Sequence, residues 1–193
     1  MQPVHWRGPE EARRGALLPA FTPAYLEHIQ QPGLRRPQRL ARGPLALAGL
    51  MAPVEAGFEA SRLWGSLGQA LARRWDACPP QGAAPGFFGV TACPGAAGTT
   101  GFYLAARSLG PQEKAAPPLV LQTLPAGEYL CLEHAAPPET LPLTLTFLYC
   151  TWLPKAGLQP ALPLEILAFG PTPPWEQAPE RAALWLPVQP CLG

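Results

Sequence analysis

Leu119-Val-Leu-Gln-Thr-Leu-Pro-Ala-Gly-Glu-Tyr-Leu-Cys-Leu-Glu-His134 opens the stretch, running to Val188, whose reading decides the fold. It predicts a strand with Gly127 in its middle. An apolar segment follows from Thr140 to Leu153, closed by Pro154, and then a short strand, Pro163-Leu-Glu-Ile-Leu-Ala-Phe169. A Pro-rich loop leads to a last strand, Arg181-Ala-Ala-Leu-Trp-Leu-Pro-Val188. Side chains of a strand alternate between two faces. Leu164, Ile166 and Ala168 therefore share one face of the short strand, and Glu165, Leu167 and Phe169 share the other. A carboxylate is thus set among large apolar groups. On a half-exposed sheet it is an ordinary solvent-facing Glu; in a covered cleft it is a buried anion that needs a cation or a proton. On the last strand Ala183, Trp185 and Pro187 oppose Leu184, Leu186 and Val188. The aliphatic set is expected to meet helices, which turns Trp185 toward the cleft.

Upstream, the run Pro44-Leu-Ala-Leu-Ala-Gly-Leu-Met51 within Arg39–Val54 predicts a strand. Phe58–Trp75 is the clearest helix, because Ala60, Leu63, Trp64, Leu67, Ala70 and Leu71 recur at helical spacing. Gly86–Thr91 and Gly101–Arg107 predict two more strands, joined by the Gly-rich loop Cys93–Thr100. That loop is a plain connection: a phosphate cradle needs a strand-to-helix setting and a Lys, and both are missing. Residues 111–118 read as a linker. The second half then repeats the element order of the first, strand-helix-strand-strand, dividing the chain at about Gly110. By this repeat Tyr103 takes the place of Trp185 in the first half, with Phe88 nearby. One segment stays open on local pattern. Leu141–Phe147 alternates as a strand does, yet Leu141, Leu145, Leu148, Tyr149 and Trp152 also form a helical stripe that Thr140 would cap and Pro142 would tolerate. Pro23–Gln30 predicts a short helix with Tyr25, Leu26 and Ile29 on one side.

A chain of 193 residues, 48% hydrophobic, has enough apolar content for a buried core. The 28 Pro residues mostly bracket apolar runs, so they read as loop punctuation rather than disorder. Net charge is +1, but seven Arg lie in residues 1–42, while residues 43–193 are mildly acidic. That body does not suit a phosphate backbone, and the basic segment lacks a helix-turn-helix pattern, so no direct nucleic-acid binding is expected. The five Cys have neither metal-ligand nor redox-motif spacing; Cys131 and Cys150, among apolar neighbours, are expected to be buried reduced thiols. No metal site and no cofactor are expected. The polar N-terminus and the lack of any membrane-length apolar run lead to the expectation of a cytoplasmic protein. Ser61, Ser66 and Ser108 have no nucleophile-elbow context, and Glu133 and His134 point to opposite faces of a strand, so no dyad forms there.

Thr123-Leu-Pro-Ala-Gly-Glu-Tyr129, Cys131-Leu-Glu-His134, Pro138-Glu-Thr-Leu-Pro142, Tyr149-Cys-Thr-Trp-Leu-Pro154, Leu164-Glu-Ile166 and Leu184-Trp-Leu-Pro-Val188 resemble, in order, the second half of a GyrI-like effector-binding domain in its free-standing form. The resemblance implies an α+β fold of two pseudo-symmetric β-α-β-β units. They form an antiparallel sheet with helices on one face and a ligand cleft between the units. It chooses helix for Thr140–Leu153. It divides the chain into an N-terminal extension, 1–37, and a domain, 38–193, with units at 38–110 and 118–190. The family's pocket glutamate falls on Glu165, while Leu167 departs from its usual Tyr.

The expected pocket is Glu165 with Trp185, Tyr103, Phe88, Phe169 and Leu167; Trp64 joins it or lies in the core. A Glu among aromatic rings suits a flat, cationic, lipophilic ligand. The resemblance thus implies multidrug sensing or sequestration. The alternative is a hydrolase of strained, electrophilic rings, such as cyclopropanoid cytotoxins, using Glu165 as general acid or base. A homodimer and a protein partner such as DNA gyrase, known for one branch of the family, stay open.

Overall fold

The computed structural model describes residues 22–30, 37–54, 60–75, 86–92, 101–110, 113–115, 117–135, 138–171 and 182–191, with side chains 66–73 in the helix at 60–75. The loop at 93–100 and Trp64 fall outside the described residues and side chains. In chain order the elements are α1 (Pro23–Ile29), β1 (Gln38–Arg42), β2 (Leu45–Val54), α2 (Ala60–Trp75), β3 (Phe87–Ala92), β4 (Gly101–Ser108), β5 (Val120–Leu124) and β6 (Gly127–His134). Then come a 3-10 turn (Pro138–Thr140), α3 (Leu141–Phe147), a π-helical turn (Leu148–Trp152), α4 (Leu153–Ala156), β7 (Leu158–Pro160), β8 (Leu164–Gly170) and β9 (Ala182–Pro190).

The sheet runs β1-β6-β9-β8-β3-β4-β2-β5, with β7 added beside β9, and its ladders are antiparallel. Exchanging equivalent strands of the two halves (β1 with β5, β2 with β6, β3 with β8, β4 with β9) leaves this order unchanged. The expected α+β architecture of two β-α-β-β units is therefore present, and β3 against β8 is the seam between them. The sheet also curls. β1–β2 and β5–β6 run as one ribbon in a single register: from Arg42↔Gly127 to Leu45↔Leu124 both strands advance by three residues. The strand expected over Leu119–His134 is thus two strands, because Pro125 interrupts the ladder and lets the ribbon pass from one half to the other.

Curling gives the sheet an inner face that packs on itself. Leu47, Phe88, Val90, Leu104, Ala106, Leu124, Tyr129 and Ile166 fill it, with Leu164, Ala168 and Trp185 against them. The outer face takes the helices. Leu130, Leu132, Leu184, Leu186 and Val188 pack on Leu148 and Leu153, and Leu141 and Leu145 join them. Leu67 of α2 packs on Val54, Phe87, Tyr103 and Ala105. Strand periodicity on β9 thus delivers its aliphatic face to the helices, as expected.

The ambiguous segment is helical. Pro142 sits in the first turn of α3, but Thr140 makes no side-chain cap; the 3-10 turn before it supplies the entry instead. Pro154 does not close the helix, contrary to expectation. The N–H of Leu153 bonds Leu148 O, five residues back, and the wider π-helical turn makes room for a ring that would meet the carbonyl of Cys150 in a regular helix. Gly157, at φ 66, ends the helix in the left-handed conformation that glycine tolerates best. Cys150 is exposed, not buried, since it follows Tyr149 around the turn toward solvent; Cys131 is partly buried. β7 has no counterpart in the sequence reading: three residues ending in Pro carry no periodicity.

The short N-terminal helix forms where expected, capped by Thr22 Oγ1 accepting from Tyr25 N at 3.2 Å. Its buried face is Tyr25 and His28, while Leu26 is 43% exposed. The expected Tyr25–Leu26–Ile29 side is thus corrected: polar partners on α3, rather than apolar content, choose the docked face. Among the described residues no helix is long and apolar enough to cross a membrane, and no cluster of three His, Cys, Asp or Glu side chains is placed to hold a metal ion.

Candidate functional site

The seam ladder fixes which side chains share the helix-side surface. Cross-strand partners lie on the same face. Thr91 pairs with Glu165 on one side and with Tyr103 on the other, so Glu165, Thr91 and Tyr103 form one row across three strands. At about 4.8 Å per strand, the ends of that row are roughly 10 Å apart. Leu167, Gly89 and Ala105 form the next row, and Phe169 reaches over it: its ring would lie 3.5 Å from a Cβ placed on Gly89. The Tyr103 hydroxyl would stand 2.5 Å from the same Cβ, so only glycine leaves room for Tyr103 to lie across the seam. Burial raises the Tyr103 hydroxyl pKa strongly, keeping it protonated at neutral pH.

β8 divides this surface. Leu167 packs with the α3 cluster, Phe169 packs with the α2 cluster, and Glu165 opens on a cavity of about 380 Å³. Tyr149, on the π-helical turn, and the turn Pro160-Ala161-Leu162-Pro163 wall this cavity with Glu165. The N–H of Ala161 donates to Pro187 O at 2.9 Å and pins the turn to β9. Burial raises the Glu165 carboxyl pKa from its ordinary value, and a hydrogen bond with the Tyr149 side chain opposes the rise. Among the described residues no basic group lines the cavity, and Glu165 faces mostly apolar walls.

Of the residues expected from sequence, the structure brings Glu165, Leu167, Phe169 and Tyr103 to one face. It does not bring Trp185 and Phe88 there. Trp185 pairs with Ile166, and Phe88 pairs with Ala168, so both occupy the inner face, opposite Glu165. Their rings meet edge to face at 5.5 Å. Trp185 already carries a cation: the Arg42 guanidinium lies 3.6 Å from its ring centroid. The expectation that Trp185 and Phe88 share the Glu165 face, with Tyr103 equivalent to Trp185, is corrected on this point. The physical reason is register. Sequence alternation gives the faces of each strand but not how neighbouring strands align, and the alignment puts Trp185 in phase with Ile166.

Tyr149 and Thr91 were not singled out in the sequence. Tyr149 read as one more member of the apolar stripe over 141–152; its hydroxyl, a polar tip in that stripe, was the available signal.

No family model and no curated protein matches the chain. Solved structures do match its fold. SAV2435 bound to tetraphenylphosphonium superposes with a TM-score of 0.58 at 15% identity, over 80% of this chain and 94% of that one. The EcmrR C-terminal domain gives 0.61 at 12% identity, over 80% and 98%. A hydrolase encoded by lin2189 from Listeria innocua gives 0.50 at 13% identity, over 85% and 97%. The chain has the fold of these proteins.

Proposed function

We propose that this protein binds cationic, aromatic, lipophilic small molecules in the groove beside Glu165, and that it serves multidrug sensing or sequestration. One observation carries the reading: a partly buried carboxylate lines an apolar cavity that no basic residue lines among the described residues. An anion in such a place gains a great deal from an incoming cation, whose charge it offsets where water is scarce. Tyr149 on the cavity wall offers ring surface to the ligand's aromatic groups. That SAV2435 was solved with tetraphenylphosphonium supports the same chemistry on this fold. In this reading residues 38–193 are the binding domain, and residues 1–37, α1 among them, are an N-terminal extension.

Isothermal titration with tetraphenylphosphonium and with neutral triphenylphosphine oxide tests it. The cation is expected to bind in the micromolar range, about −8 kcal/mol, and the neutral compound much more weakly. Equal binding of the two, or none of the cation up to its solubility, refutes the proposal.

A second reading rests on Tyr149. A general acid of raised pKa next to a second hydroxyl is an arrangement suited to hydrolysis of strained, electrophilic rings. The neutral Glu165 carboxyl would protonate the departing ring atom while water adds to the carbon it leaves, and the carboxylate so formed would take back the proton that water sheds. Here Glu165→Gln would spare substrate binding and abolish turnover, whereas for a binding protein it weakens cation binding itself.

A further inference from the structure

Away from the groove, two imidazoles converge on one hydroxyl. His28 Nε2 lies 2.8 Å from Thr144 Oγ1, and His134 Nδ1 lies 3.0 Å from the same oxygen. The three residues come from α1, β6 and α3, and none is more than 4% exposed. The two rings stand 6.3 Å apart between centroids. A second bond ties α1 to the π-helical turn that follows α3: Tyr25 and Thr151 hydroxyls are 2.9 Å apart. Polar contacts, His28 among them, thus help hold α1 on α3 and on the π-helical turn that carries Tyr149.

The inventory of hydrogens makes this joint sensitive to acid. A threonine hydroxyl has one hydrogen and two lone pairs, so it satisfies two neutral imidazoles when both donate to it or when one donates and the other accepts. An imidazolium carries N–H groups on both nitrogens. His28 Nδ1 is shielded from water and has no hydrogen-bond partner among the described residues. Protonating docked His28 therefore leaves a charged donor buried and unmatched, beside a second imidazole, which is costly.

The groups facing His28 are Thr144 from α3 and His134 from β6, with Tyr25 on its own buried helix face. Its pKa is lowered by burial first and by His134 second, and among the described residues no carboxylate contributes to it. Glu27, the charged neighbour on α1, is exposed. Released from α3, His28 titrates in water near pH 6.5. Docking is thus fully favourable above that value and weakens below it, by up to about tenfold per pH unit for one proton.

We propose that His28, Thr144 and His134 form an acid-released latch, which docks α1 on α3 at neutral pH and lets it lift away as the solution turns mildly acidic.

Hydrogen exchange of the full chain, read by mass spectrometry between pH 5.0 and 7.5 and corrected for intrinsic rates, tests this without any ligand. It therefore stands or falls apart from the ligand reading of the groove. Segments 22–30 and 141–156 are expected to lose protection together below about pH 6.5, up to tenfold per unit, while β3 and β8 keep theirs. His28→Gln retains an amide to meet Thr144 but cannot take the proton, and its profile should be flat. A flat wild-type profile, an equal slope in His28→Gln, or parallel loss in β3 and β8 overturns the latch. Should His28→Gln fail to dock at pH 7.5, the wild-type His28 ring followed by NMR decides: its titration must share a midpoint with the release of residues 23–29, and separate midpoints overturn the proposal.

Discussion

Replacing Glu165 with Gln removes a charge and keeps a shape, and the groove gives the change two readouts of opposite sign. A bound cation centred about 5 Å from the carboxylate, at an effective dielectric of about 20, is favoured by roughly 3 kcal/mol. The cavity is open to solvent on one side, so part of this is screened. A loss of tetraphenylphosphonium affinity between about tenfold and a hundredfold is expected, against less than about threefold for neutral triphenylphosphine oxide. Stability should move the other way. Burial raises the Glu165 pKa, so the folded protein holds that proton more tightly than the unfolded chain. The resulting stabilisation is present below the ordinary value of 4.5 and is lost as pH rises through the raised folded value. Above the ordinary value the native protein must either hold a desolvated carboxylate or take up a proton, a cost that Gln does not bear. Glu165→Gln is therefore expected to melt at a higher temperature than wild type at pH 7, with the gap closing as pH falls. Calorimetric titration gives the first readout and thermal melts the second. Equal losses for both ligands, or a lower melting temperature for the variant at pH 7, would refute the reasoning.

Three further outcomes follow from the same geometry. Affinity for tetraphenylphosphonium in wild type should be full above the raised pKa of Glu165 and fall by up to about tenfold per pH unit below it; titrations from pH 4 to 8 check this, and the slope should vanish in Glu165→Gln. Tyr149→Phe removes the hydroxyl that opposes the rise in Glu165 pKa, so the midpoint of that pH dependence should move upward, as the same titrations would show. Gly89→Ala drives a methyl into the Tyr103 hydroxyl and should cost about 1–3 kcal/mol in urea melts; adding Tyr103→Phe, which removes that oxygen, should recover part of the loss, a non-additivity beyond about 0.5 kcal/mol.

The sequence made some of this site legible and hid the rest for identifiable reasons. Strand alternation places Glu165, Leu167 and Phe169 on one face, and that depends only on local geometry. The aliphatic face of β9 is legible for the same reason. Trp185 was misplaced because a face shared between strands depends on register, and register is set by long-range pairing along β8 and β9. Tyr149 was hidden by its surroundings: an apolar stripe absorbs one hydroxyl, and the π-helical turn that accommodates Pro154 cannot be read from helical periodicity. His28 looked like a residue of a loose extension because its partners, Thr144 and His134, are more than a hundred positions away in sequence.

The shared register of the β1–β2 and β5–β6 ribbon makes the two halves behave like the subunits of an arm-exchanged dimer fused into one polypeptide. The first half lends β1 to the second half's β6, and the second lends β5 to the first half's β2. Neither half then owns a finished sheet, and neither is a self-sufficient folding unit that a gene could lose or duplicate alone. A one-residue slip in the ribbon would invert side chains in both halves at once, the inner apolar face among them. Loop changes on either side of the seam leave this register untouched. The groove's walls are thus free to diversify while the frame that presents Glu165 stays fixed.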